Sequence, residues 1–212
     1  MSSSFAYIAV DGPIGVGKSA LVERLAQRLE ARAVLEEWSQ NPFLKGFYEG
    51  SPGAAFQSEL FFLLSRYKQQ QELLQRKLFA PVTIVDFVFE KSKLFAYLNL
   101  DDSEVLLYEK LFDMLVETVP RPDLVVYLQA STEVLMKRIR SRGRPEEDQL
   151  SEEYLAEVNR AYNYYFFHYT QTPLLVVNTT DLDFVSRPED VDDLLKQIRG
   201  MGKGTRYYVP RA

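Results

Sequence analysis

The stretch Asp11-Gly12-Pro13-Ile14-Gly15-Val16-Gly17-Lys18-Ser19 constrains this chain more than any other, because it satisfies G-x-x-x-x-G-K-[ST] without a mismatch. The apolar run Phe5-Ala6-Tyr7-Ile8-Ala9-Val10 precedes it and reads as a buried parallel strand. After it, leucines at 21, 25 and 29 with Val22 beside them predict an amphipathic helix. Strand, glycine loop and helix are the context the pattern needs, and a chance match in a chain this long is on the order of one in a hundred. Glycines at 12, 15 and 17 let backbone N–H groups turn inward around a phosphate chain, and the helix N-terminus adds partial positive charge. The residues from Gly12 to Ser19, with Pro13, Ile14 and Val16 among them, are therefore expected to cradle the phosphates of ATP or another nucleoside triphosphate. Lys18 would reach the β- and γ-phosphates, and Ser19 would ligate Mg²⁺.

The remaining chain alternates predicted strands and helices. Strands are expected at 32–35, 82–86, 123–129 and 174–178. Helices are expected at 54–78, 91–98, 104–119, 132–140, 151–169 and 188–199. Apolar parallel-type strands between helices give an α/β fold, a five-stranded parallel sheet with helices on both faces. Residues 1–199 read as a single domain, and 200–212 as a flexible basic tail.

Composition narrows the chemistry. A net charge of −5 argues against a nucleic-acid partner held on a basic surface. The chain has no cysteine and one histidine, His168, in an aromatic helical run, so disulfides, zinc-thiolate sites and histidine clusters are excluded. His168 is expected to be packed or on the surface, not catalytic. No apolar run spans a membrane and Met1-Ser2-Ser3-Ser4 is no signal peptide, which points to the cytoplasm.

Ligands of open α/β sheets bind beyond the carboxyl ends of the strands. Glu36 ends the second predicted strand, placed to accept a proton from an attacking hydroxyl. Asp86 ends the third, placed to ligate Mg²⁺ directly or through water. Arg138 and Arg142 are four apart on one helix face, and Arg144 follows Gly143, where the chain can fold back. Three such guanidinium groups can neutralise a transferring phosphoryl.

Nearly the whole chain resembles the deoxynucleoside kinases. The most specific stretch is Tyr127-Leu128-Gln129-Ala130, then Arg138-Ile139-Arg140-Ser141-Arg142-Gly143-Arg144-Pro145-Glu146-Glu147, then Tyr154-Leu155. The resemblance implies a P-loop kinase with an arginine-rich lid bearing Arg138, Arg142 and Arg144, and Glu147 on the sugar 3′-hydroxyl. Glu36, followed by Asn41-Pro42, is similar to the catalytic glutamate segment, and Tyr48 to the tyrosine that shares the 3′-hydroxyl. Phe56-Gln57, with Ser65-Arg66 further on, is similar to the base-pocket segment. The Gln57 amide, donor beside acceptor, would suit a purine or cytosine edge. The family also implies a homodimer, with Phe61, Phe62 and Leu106-Leu107-Tyr108 as candidate interface or core residues.

Three departures stand out. The acidic-Arg-Ser triplet at the end of strand three reads Asp86-Phe87-Val88, so its arginine is missing. The proline after the catalytic glutamate is Glu37. The acidic base contact of the next segment falls near Lys91-Ser92. The implied reaction is phosphoryl transfer from a nucleoside triphosphate to the 5′-hydroxyl of a deoxynucleoside. A nucleoside monophosphate kinase would need a further cation near Glu36 or Asp86. A nucleotide-binding module that has lost catalysis would draw its support from the missing arginine.

Overall fold

Strand β1 (Tyr7–Asp11) is buried along its whole length, as a strand covered on both faces must be. Its side chains alternate: Ile8 and Val10 enter one core, Tyr7 and Ala9 another. In this computed structural model, which describes residues 5–75 and 82–210, five more strands join it: β2 (Arg32–Val34), β3 (Thr83–Val85), β4 (Leu124–Gln129), β5 (Leu174–Asn178) and β6 (Thr205–Tyr208). The order is β2-β3-β1-β4-β5-β6 and every neighbouring pair is parallel.

Helices α1 (Lys18–Leu29), α6 (Thr132–Arg142) and α8 (Pro188–Arg199) close one face through Leu21, Leu25, Leu135, Ile139, Leu194 and Ile198. On the other, α4 (Lys91–Asn99) and α7 (Glu152–Phe167) bring Leu94, Val158, Tyr162 and Phe166 against Val125 and Tyr127. A third cluster of Leu63, Phe89, Ala96, Tyr108 and Phe112 joins α3 (Ala54–Gln75), α4 and α5 (Asp102–Val116). Each leucine, isoleucine, valine or phenylalanine among them, fully buried, contributes about 1.5–3 kcal/mol. The short α2 (Leu44–Tyr48) leads into α3.

The sheet has six strands where five are expected. The segment read as a tail supplies the sixth, β6, which lies parallel beside β5. Thr205, Arg206 and Tyr207 are exposed and of this strand Tyr208 alone packs against the core, because an edge strand is held mainly by its backbone hydrogen bonds. That leaves no hydrophobic pattern to read. For the helix expected at 54–78, residues 76–78 lie outside the described residues, as does Pro81.

Chain order reverses at β1, with β3 on one side and β4 on the other, so a crevice opens beyond the carboxyl end of β1. The glycine loop sits there. A Cβ on Gly12 would lie 2.5 Å from the Leu128 carbonyl oxygen, and one on Gly15 2.7 Å from the Ile139 side chain. Both also have positive φ, 154° and 84°. Glycine at these places lets the loop close down on β4 and α6.

Candidate active site

The loop is braced from beneath by Asp11, which is fully buried. Its Oδ1 accepts from the Gly12 N–H at 2.7 Å and the Tyr162 hydroxyl at 3.2 Å, and its Oδ2 from the Val88 N–H at 2.9 Å. One carboxylate thus joins the ends of β1 and β3 to α7. Lys18 Nζ donates to the carbonyl oxygens of Gly12 (2.7 Å) and Pro13 (3.0 Å). Burial, then the charge of Lys91, lowers the Lys18 ammonium to about 8, which leaves its proton available to a phosphate oxygen.

At the ends of β2 and β3 the carboxylates interlock. Ser19 Oγ donates to Asp86 Oδ2 at 2.6 Å, and the Glu36 N–H donates to Asp86 Oδ1 at 2.6 Å. Burial, then the Glu36 charge, raises the Asp86 carboxyl. Glu36 itself is held from two sides. Arg66 Nε donates to its Oε1 at 2.6 Å and Lys91 Nζ to its Oε2 at 3.0 Å. Burial would raise the Glu36 carboxyl, but the charges and hydrogen bonds of Arg66 and Lys91 outweigh it and bring it down to about 2. Arg66 is fixed in turn by Ser92 Oγ at 2.8 Å and lies over the Phe62 ring.

Lys91 is the residue that sequence reasoning missed. Its side chain is 3% exposed, and it places a cation beside Glu36 from the first turn of α4. The strand-three arginine is absent, and a positive charge reaches Glu36 from five residues beyond Asp86. No local pattern reveals this, because Lys91 and Glu36 are 55 residues apart.

A cavity of about 860 Å³ runs from the glycine loop past Glu36 to α2, α3 and α7, within the usual size for a small-molecule site. Of the expected residues it brings together Ile14, Gly15, Val16, Gly17, Lys18, Ser19, Glu36, Tyr48, Arg66, Asp86, Arg138, Arg142, Arg144 and Glu147 along its wall. Gly12 and Pro13 lie behind this wall, their carbonyls turned to Lys18.

The arginines divide. Arg142 pairs with both oxygens of Glu147, one contact at 2.9 Å, and Arg144 lies 3.8 Å from the same carboxylate and stacks on Trp38 at 3.8 Å. Arg138 turns elsewhere. It donates to the carbonyl oxygens of Val16, Thr179 and Leu182 and to Thr179 Oγ1, tying α6 to the glycine loop and to the segment after β5. In this structure Arg138 positions the loop, and Arg142 and Arg144 supply the cations at the cavity mouth.

The base-pocket segment needs a correction. Gln57 is exposed and Phe56 packs into the α3–α5 cluster; neither lines the cavity. At about 100° per residue, nine residues put Gln57 on the face of α3 opposite Arg66. Seven residues before Arg66, on its own face, stands Glu59, which lines the cavity with Ser58 and Phe62. The two-turn spacing from Arg66 was the available signal. His168 ends α7 in the open, with Nδ1 2.8 Å from the Tyr164 carbonyl oxygen, and is not part of the cavity wall. Among the described residues no helix is long and apolar enough to cross a membrane.

A P-loop glycine motif, a lysine tied to the loop's carbonyls and a carboxylate held by two cations in one cavity define a P-loop phosphotransferase. A family model described as deoxynucleoside kinase matches residues 8–201, and the chain belongs to that family. It is 32% identical over 199 residues to a deoxyguanosine kinase of Bacillus subtilis, covering 91% of this chain and 96% of that one. It is 30% identical over 199 residues to a deoxyadenosine/deoxycytidine kinase of the same organism, covering 90% of each. The deoxyadenosine kinase of M. mycoides with bound dATP has the same fold, with a TM-score of 0.77 at 24% identity over 90% of this chain and 98% of that one. The protein is a deoxynucleoside kinase of nucleotide salvage, and its substrate is a small molecule.

Proposed function

We propose that this kinase transfers the terminal phosphoryl of ATP, or another nucleoside triphosphate, to the 5′-hydroxyl of a deoxynucleoside, with Glu36 orienting that hydroxyl and taking its proton. The carrying observation is the Glu36 carboxylate, pinned by Arg66 and Lys91 in the cavity that holds Lys18. With both oxygens anchored, each keeps a lone pair for a hydroxyl. A carboxyl held at about 2 is a weak base. That suffices where the transition state is loose and the proton leaves late, so its larger part is alignment.

Lys18 would leave the two carbonyls for phosphate oxygens, and Arg142 and Arg144, as a lid, would neutralise the charge on the transferring group. Arg138 belongs to this arrangement by holding the glycine loop to α6. Tyr48 and Glu147 share one wall and would take the sugar 3′-hydroxyl. Ser19 Oγ and Asp86 Oδ2, 2.6 Å apart, are oxygen donors of the kind Mg²⁺ accepts and would hold it. When bound, Mg²⁺ supplies charge neutralisation across the phosphates. Among the described residues no three acidic or histidine side chains gather into a metal site, so phosphate and water oxygens would complete the coordination.

Arg66 and Lys91 are the further cations that a monophosphate kinase would need, but both are engaged by the Glu36 carboxylate, which favours an uncharged hydroxyl acceptor. The chain acts as a single cytoplasmic domain. Leu106, Leu107 and Met114 on α5 and Leu64 on α3 are exposed apolar residues fit for a homodimer interface. Phe62 and Tyr108 are not available for it, since one lines the cavity and the other is buried. The test is phosphorylation of a deoxynucleoside panel with ATP and Mg²⁺, monophosphates included as acceptors. Turnover of monophosphates alone would refute the reading, and sedimentation of a monomer at micromolar concentration would refute the dimer.

A further inference from the structure

At the end of the cavity away from the glycine loop, Glu59 has no partner equal to its charge. It is 3% exposed and lines the cavity, yet its Oε2 makes no hydrogen bond among the described residues. Its Oε1 accepts from Asn99 Nδ2 at 2.8 Å, which fixes the plane of the carboxylate. The cation that acts on it most, Arg66, is hydrogen-bonded to Glu36 and Ser92. A buried oxygen without a donor is costly, and a ligand that brings the donor relieves that cost.

We infer that Glu59 reads the nucleobase of the acceptor as a carboxylate, through a pair of adjacent N–H donors, and so makes deoxyguanosine the preferred substrate. The inference rests on the deoxynucleoside kinase reading. An ionised carboxylate only accepts hydrogen bonds. On the pairing edge of guanine the ring N1–H stands next to the exocyclic amino group, two donors side by side. Adenine and cytosine each present a donor beside an acceptor, and thymine flanks its single donor with acceptors. Only guanine satisfies both oxygens. The amide expected at Gln57 would have matched a purine or cytosine edge without choosing among them, and the structure puts a carboxylate in the cavity instead.

The same geometry makes the preference depend on pH. Burial, opposed by Arg66 and by the Asn99 hydrogen bond, pushes the Glu59 carboxyl up to about 7. The charged and titratable groups around it are Arg66 on α3, Glu36 after β2, Lys91 on α4, Tyr48 on α2, Tyr108 on α5 and Tyr154 on α7. The tyrosines are all raised by burial and stay neutral below pH 9, and Glu36 is held down at about 2. Of these groups Glu59 is the one that changes between pH 6 and 8, and Lys18, at about 8, bears on both nucleosides alike and cancels from their ratio. Protonated, it becomes a donor beside an acceptor and fits adenine.

The experiment measures kcat/KM for deoxyguanosine and deoxyadenosine, with the wild-type chain and Glu59→Gln, from pH 6 to 8. At pH 8 the wild type is expected to favour deoxyguanosine. Glu59→Gln should lower the guanine-to-adenine ratio by about tenfold to a hundredfold, the worth of one bidentate base contact. The wild-type ratio should fall as pH drops to 6, and that of Glu59→Gln should stay flat. A ratio unmoved by the substitution, or a wild-type ratio independent of pH, overturns the inference. The wild-type pH series decides the matter even if the variant does not fold. A chain that phosphorylates no deoxynucleoside would instead overturn the kinase reading.

Discussion

Replacing Glu36 with glutamine keeps the side chain's shape and removes its charge, so the variant separates what the carboxylate does from what it fills. In the folded chain Arg66 and Lys91 bring the Glu36 carboxyl from 4.5 to about 2. At about 1.4 kcal/mol for each tenfold change in proton affinity, the ionised carboxylate stabilises the fold by about 3 kcal/mol. Its side chain is only 17% exposed, so solvent screening takes little from this figure. Glutamine forfeits it and leaves two buried cations facing each other, which agrees with the roughly 3–5 kcal/mol lost when one partner of a buried ion pair is removed. For a chain of this size that lowers Tm by about 6–12 °C.

The pH dependence fixes the cause. A carboxyl depressed in the fold stabilises fully above its unfolded value of 4.5, and the gain is lost as pH falls towards about 2. The stability gap between wild type and Glu36→Gln should be constant from pH 6 to 8, narrow below pH 4.5, and close near pH 2. Urea unfolding at a series of pH values measures the gap, and single-turnover kinetics should show kcat down by about 10²–10⁴-fold with nucleoside binding retained. Glu37→Gln, outside the cavity wall, should stay within several-fold of wild type. Equal stability of Glu36→Gln and wild type at pH 7, or a gap that persists unchanged at pH 3, would refute the two-cation clamp. Full activity of Glu36→Gln would move the base elsewhere, with Asp86 first in line.

Lys18→Ala should abolish turnover with the fold intact by circular dichroism; near-wild-type rates at saturating ATP would reject the glycine-loop site. Lys91→Met should reduce kcat by about tenfold to a hundredfold and shift the acid limb of the pH–rate profile upward, since one of the two charges depressing Glu36 is gone; an unchanged profile would mean that Lys91 does not stand in for the missing arginine. Arg142→Ala should lower kcat far more than it raises the nucleoside KM, because its charge acts on the transferring group; a change confined to that KM would place Arg142 with the sugar instead.

Much of this site was written into short stretches. The spacing of Gly12, Gly15, Gly17, Lys18 and Ser19 states its own geometry, because backbone turns and a helix N-terminus are local properties. Glu36 and Asp86 were legible because each closes an apolar strand, and in a parallel sheet the ends of strands meet at the crevice. The helices were legible from periodicity, and so were the two sides of the sheet.

What tertiary structure decided has one physical reason: it depends on groups far apart in sequence packing against one another. The phase of α3 follows from which residues enter its cluster with α4 and α5, and that rotation puts Glu59 in the cavity and Gln57 in solvent. Lys91 reaches Glu36 only because β2 and β3 are neighbours and α4 begins just past the crevice. Arg138 binds carbonyls at Val16 and Thr179, groups on opposite sides of it in the chain. Strand β6 exists through backbone pairing with β5, an interaction that exposed side chains do not announce. Sequence alone determined the glycine loop and the class of fold around it. Packing determined which charges meet around Glu36 and that Glu59 faces the cavity.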